Sequence, residues 1–271
     1  MSLYTYFMLK YLFKNNDAFI WNSKETQFKK IDKIKSIPLN LLIAIDRQKK
    51  TLHENTRNFA KENFTNNALL WGARGNGKST LIKSTFNELI VEFSNLRLIQ
   101  LNKNDMLEIK EIYSILRQYS KYRFIIFIDD LSFEKNDSDY KLIKSTLDGS
   151  IQNQPTNIIL YATSNRRHLM SEDMIANVRS SAIHTDESVE EKISLSDRFG
   201  LWIGFHNISQ EEYINIIKSY FNYYKIELQQ NDLQQSIQWS LQRGNRTGRT
   251  AWQFILHLAS KKKFKDFFLI F

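Results

Sequence analysis

The 271-residue sequence contains no cysteine. That excludes disulfides, thiol catalysis and cysteine-ligated zinc, and it fits a reducing cytoplasm. The sequence also lacks an apolar run long enough to cross a bilayer. Its apolar opening, M-S-L-Y-T-Y-F-M-L-K-Y-L-F-K, is broken by Lys10 and Lys14 and carries neither a basic leader nor a small-residue cleavage site. An amphipathic helix packed on the body of the protein is expected there, in a cytoplasmic chain without a membrane partner. Acidic residues are the scarcer charged class, 29 against 38 Lys plus Arg, for a net charge of +9. This is weak support for a polyanionic partner, because a Lys-rich nucleotide-binding protein can be basic for compositional reasons alone. With 42% apolar and 25% charged residues, the composition is that of a globular protein with ample core for one large domain or two small ones.

The stretch around which the rest is organised runs from Ala68 to Ser79, A-L-L-W-G-A-R-G-N-G-K-S. Ala68 to Trp71 read as a short buried strand, G-x-x-x-x-G-K-S follows, and a helix-period segment begins at Thr80. Strand, glycine-rich loop and helix is the context that separates a P-loop from a structural glycine turn. The chemistry needs this pattern. Phosphates must be met by several inward-pointing backbone N–H groups, glycines let the chain approach, and the following helix N-terminus adds partial positive charge. Gly72, Ala73, Arg74, Gly75, Asn76, Gly77, Lys78, Ser79 and Thr80 are therefore the candidate nucleotide-binding set. Lys78 is placed to reach the β- and γ-phosphates, and Ser79 to ligate Mg²⁺.

Along the chain, residues 1–37 are expected to be helical, and Pro38 to Lys50 to be a linker into a helix that Asp46 caps. Leu96–Leu101, Arg123–Ile128, Asn157–Asn165 and Leu201–Phe205 read as further strands, with a helix capped by Asp105 from Met106 to about Tyr119. Another helix is expected from Asp137 or Ser138 to about Leu147. Alternating strands and helices point to a doubly wound parallel sheet with its ligand at one edge. The pattern then becomes all-helical: Ser209-Gln-Glu-Glu212 is a capping box, and helices starting near Asn231 and Thr250 follow.

Asp129 stands where an apolar strand runs out, and so can complete a metal shell begun by Ser79. Asp130 is the candidate to orient water, with Glu134 as the competing base. Asn165, ending the neighbouring strand, can touch both a γ-phosphate and the attacking water. Arg198, ahead of the fifth strand, can reach a neighbouring protomer's nucleotide or simply pair with Asp197. Arg249 can reach the nucleotide from the helical tail, with Arg246 as its rival; Arg243, Arg246 and Arg249 can equally form one solvated basic face.

In this order the pieces resemble an AAA+ ATPase over roughly Leu41 to Ser260. Five motifs, N-A-L-L-W-G-A-R-G-N-G-K-S, F-I-D-D-L-S-F-E, Y-A-T-S-N-R-R-H-L-M, E-E-K-I-S-L-S-D-R-F-G-L-W and G-R-T-A-W-Q-F-I, resemble more narrowly a bacterial group of ATP-binding proteins carrying a domain of unknown function. Asp-Asp in place of the usual Asp-Glu is a trait of that group. The resemblance implies a three-layer αβα P-loop core over residues 41–206, preceded by an N-terminal segment (1–40) and followed by a helical lid (207–271). It also implies ATP and Mg²⁺ as ligands and hydrolysis, which would be coupled to conformational change or assembly; an Arg198 reaching a neighbour's nucleotide would make the protein a homo-oligomer. Two other readings stay open. One is a nucleic-acid loader or remodeller, supported by the charge, by Arg166-Arg167-His168 and by the lysines from Lys261. The other is a small-molecule kinase, disfavoured by the helical tail and the paired carboxylates.

Overall fold

A computed structural model describes residues 2–132, 154–167, 169 and 198–261. The expected helix at 137–147, Glu134, Asp197, His168 and the lysines beyond Lys261 lie outside them.

The described strands are β1 (Ala18–Asn22), β2 (Gln27–Lys30), β3 (Ala68–Gly72), β4 (Leu96–Leu101), β5 (Arg123–Ile128), β6 (Ile158–Ser164) and β7 (Leu201–Phe205). They form a sheet in the order β2-β1-β4-β5-β6-β3-β7. Every neighbouring pair is parallel except the β1–β2 hairpin. All six β5 residues are buried, and the five after Arg123 form an unbroken apolar run, as a strand covered on both faces requires. Phe124, Ile126 and Ile128 face one apolar layer with α1 (Leu3–Asn15) and α4 (Ile109–Leu116). Ile125 and Phe127 face the other, with α2 (Asp46–Ala60) and α3 (Lys78–Leu89). The period-two alternation of a strand thus feeds both layers from one element. This is the three-layer αβα P-loop architecture that the sequence implies. Helices α5 (Gln210–Tyr223), α6 (Gln230–Gln242) and α7 (Gly248–Lys261) follow it, and α5 and α7 close a third apolar cluster with Leu41.

The N-terminal expectation needs correction. Helix α1 stops at Asn15, and the chain then forms the β1–β2 hairpin, which adds to the sheet edge beside β4. Phe19, Trp21 and Phe28 are buried, and Asn22 Oδ1 accepts the Lys24 N–H to turn the chain. Helical periodicity fails there because the buried aromatics alternate. Two caps also differ. Asp46 is the first residue of α2 and pairs with Lys49 at 2.6 Å, whereas Ile45 occupies the cap position without a side-chain bond. Asp105 is the reciprocal acid of a box with Asn102 that opens a 3-10 turn (Lys103–Glu108), and the α-helix begins only at Ile109.

Candidate functional site

The loop between β3 and α3 is fixed from below and from the side. Gly72 has φ +128°, and a Cβ there would stand 2.1 Å from the Phe205 carbonyl oxygen, so only glycine lets β3 turn out against β7. Gly75, at φ +83°, lies under the start of α7: its carbonyl accepts the Arg249 N–H at 3.0 Å, and a Cβ would meet Thr247 Oγ1 at 2.9 Å. Asn76 is buried and donates to the His206 carbonyl at 2.7 Å. Lys78 Nζ bends back over the loop and donates to the carbonyls of Gly72 (2.7 Å) and Ala73 (2.9 Å) and to Asn165 Oδ1 (3.2 Å). Burial pushes the Lys78 ammonium below its ordinary range, against the pull of Asp130 and Asp129; Arg249 and Arg74 add to the depression.

Ser79, one residue into α3, donates to Asp129 Oδ1 at 2.6 Å across the gap between loop and sheet. Thr163 Oγ1 donates to the same carboxylate oxygen at 2.6 Å and accepts the Asp130 N–H at 2.9 Å. Asp130 is held at φ +55°. Its Oδ1 accepts from Asn165 Nδ2, and its Oδ2 lies 3.9 Å from the Arg74 guanidinium. Among the described residues, no group of three or more His, Cys, Asp or Glu could hold a metal unaided. Ser79 and Asp129 together offer a hydroxyl and a carboxylate, hard oxygen donors that suit Mg²⁺ sharing its shell with phosphate and water.

These residues line a cleft of about 710 Å³ that also takes in Arg249, Leu41, Leu42, Ile43, Ile45, Ile208, Ile216, Tyr220 and Trp252. One end is charged, and the other is an apolar wall shared by the 41–45 segment and the C-terminal helices. The structure therefore brings together Arg74, Gly75, Asn76, Gly77, Lys78, Ser79, Thr80, Asp129, Asp130, Asn165 and Arg249. Arg246 turns instead to Gln210, at 3.4 Å, and Arg243 stacks on Trp239 with Cζ 3.3 Å from the ring centre. The three arginines point to three places, and Arg249 is the one that lines the cleft.

Arg198 is outside the cleft lining. Leu201 pairs with Ala68 and Phe205 with Gly72, so Arg198 lies beyond the N-terminal end of β7, while the loop leaves the C-terminal end of β3. At ~3.3 Å per strand residue that is on the order of 15 Å or more from the loop of the same chain, beyond the reach of an arginine side chain. Sequence reading missed two features. Thr163 is signalled only by a hydroxyl near the end of an apolar strand. The apolar wall at Leu41–Ile45 reads as a linker, because its burial depends on helices 170 residues downstream.

A model of a family described as proteins of unknown function, DUF815, matches residues 14–262. The chain belongs to this family. No curated protein sequence matches it. Among solved structures, the Thermotoga maritima Holliday junction branch migration motor RuvB is 19% identical with a TM-score of 0.50, over 79% of this chain and 61% of its own. A variant of the same RuvB gives 20% identity and a TM-score of 0.51 over the same shares, 79% and 61%. Domain III of the T. maritima replication initiation protein DnaA is 16% identical with a TM-score of 0.55, over 86% of this chain and 92% of that one. At such identities the likeness is one of fold: this DUF815 chain has the AAA+ P-loop fold, and it spans about 61% of the length of the RuvB chains.

The contact between loop and C-terminal helices is testable in this DUF815 protein. Gly75→Ala puts a Cβ against Thr247 and forces a non-glycine into the left-handed region. A loss of about 1–2 kcal/mol in unfolding free energy is expected by denaturant titration. An unchanged midpoint would mean that the loop is not held as described.

Proposed function

We propose that the protein binds Mg·ATP in this cleft and hydrolyses it, coupling turnover to a conformational or assembly change. The observation that carries the reading is the 2.6 Å bond from Ser79 Oγ to Asp129 Oδ1, beside a Lys78 ammonium folded over its own glycine-rich loop. In this reading Lys78 and the loop amides hold the β- and γ-phosphates, and the apolar wall by Tyr220 and Trp252 receives the base. Ser79 and Asp129 hold Mg²⁺, whose chemistry is to offset charge on the triphosphate. Asp130 orients the attacking water, with Glu134 as the alternative base. The Asn165 amide connects Lys78 to Asp130, so a γ-phosphate that draws Lys78 away changes what Asp130 feels. Arg249 meets the nucleotide in cis. Arg198, too distant for that, serves a neighbour's site in a homo-oligomer.

A second reading makes the chain a nucleic-acid loader or remodeller in which ATP gates binding. It is favoured by the net charge of +9.

Lys78→Ala should weaken ATP binding about tenfold or more in calorimetry, and unchanged affinity would remove the phosphate-binding assignment. Arg198→Ala should lose roughly a thousandfold in turnover. Mixing it with Lys78→Ala, which still supplies Arg198, should restore part of the rate; no recovery counts against action in trans. For the second reading, log affinity for duplex DNA should fall with log salt at a slope of about −3 or steeper, and a flat profile would discard it.

A further inference from the structure

We propose that Thr163 is a positioning residue that sets the metal-side and water-side carboxylates in one fixed relation. The inference deepens the Mg·ATPase reading and rests on it. Thr163 sits in β6, and its side chain is almost wholly inaccessible, at 1% exposure. A hydroxyl has one proton to give and lone pairs to receive. The Asp130 N–H can only donate, at 2.9 Å, so it takes a lone pair, and an ionised Asp129 carboxylate can only accept, at 2.6 Å, so it takes the proton. The wiring therefore has one direction, with no competing arrangement among these three groups. The main chain of the same residue adds a further tie: its carbonyl accepts the Leu131 N–H at 2.7 Å. One residue thus grips 129, 130 and 131 in turn.

Each grip has a separate consequence. The bond to Asp129 Oδ1 fixes the carboxylate that Ser79 also addresses, so the two oxygens offered to a cation keep their spacing. The bonds to the Asp130 and Leu131 amides hold the backbone at φ +55° on Asp130, a conformation that is costly for a non-glycine and persists only when its surroundings enforce it. That backbone sets the Asp130 side chain toward Asn165 and Arg74. Valine would keep the branched shape in the strand and remove the hydroxyl, leaving a buried N–H without its acceptor.

The test compares ATP affinity with Mg²⁺ and with EDTA in the full chain, in Thr163→Val and in Thr163→Ser. In Thr163→Val the Mg²⁺-dependent gain in affinity should shrink about tenfold, the loss of a charge-assisted hydrogen bond. Affinity in EDTA should stay within about twofold of the unaltered chain, because Lys78 and the loop amides are untouched, and turnover should fall by at least the same tenfold. Thr163→Ser, which keeps the hydroxyl, should recover both quantities, which a purely packing role of the methyl would not allow. An unchanged Mg²⁺ gain in Thr163→Val, or a serine variant as impaired as the valine one, overturns the proposal while the ATPase reading stands. Failure of the unaltered chain to bind ATP overturns that reading, and this proposal with it.

Discussion

Strand register is the constraint on which the site depends. Ile128 pairs with Ala162, so Asp129, just past the end of β5, stands beside Thr163 of β6. Trp71 pairs with Ser164, so Gly72, the last residue of β3, lies beside Asn165, the first residue past β6. Loop, Asp129 carboxylate and Asn165 amide are adjacent because three parallel strands end at one height, although Gly72, Asp129 and Asn165 are separated by about 35 to 95 residues in sequence. A slip of one residue in β6 would turn Thr163 and Asn165 to the opposite face and exchange the two apolar layers. The fully buried core of β5 and β6 makes that slip prohibitive, so packing far below the cleft sets the geometry within it.

The parts of this arrangement that were legible in the sequence are those where local pattern and tertiary demand agree. The P-loop declares itself through Gly72, Gly77, Lys78 and Ser79, and β5 through an apolar run ended by two aspartates. Asn165 follows from a strand beside it. The β1–β2 hairpin was not legible, because residues 18–30 mix buried aromatics with lysines in a stretch short enough to fit a helix. Its strand character comes from pairing with β4, whose partner is 80 residues away. The choice between Arg246 and Arg249 was also closed to sequence reading, since spacing of three makes them neighbours on an ideal helix. Here Arg246 precedes α7 and only Arg249 belongs to it.

The cleft is built by two bodies of structure that meet at the loop. The Gly75 carbonyl holds the Arg249 amide, the Asn76 side chain holds the His206 carbonyl, and Ile37 accepts from Ser84 of α3 at 2.6 Å. Each of these bonds ties the glycine-rich loop or its helix to a segment that also lines the apolar wall or leads into it. A ligand that spans charged end and apolar wall touches both bodies, and a ligand confined to either end touches one. Coupling between occupancy and the attitude of the C-terminal helices thus needs no distant relay, because the bonds lie in the cleft itself.

Charge balance narrows what such a ligand can be. Lys35, Arg74, Lys78, Lys83 and Arg249 line the cleft, against Asp129 and Asp130. Lys78 is already depressed by burial, and a further cation nearby without a compensating anion would raise the cost of keeping it charged. The two aspartates cannot neutralise five cations, and one of them, Asp129, is engaged by two hydroxyls rather than by a cationic side chain. The surplus favours a compact polyanion at the loop. A divalent ion brought to Asp129 would enlarge that surplus, and so it belongs there only together with the polyanion. In the proposed function, the affinities for metal and phosphate are therefore mutually dependent.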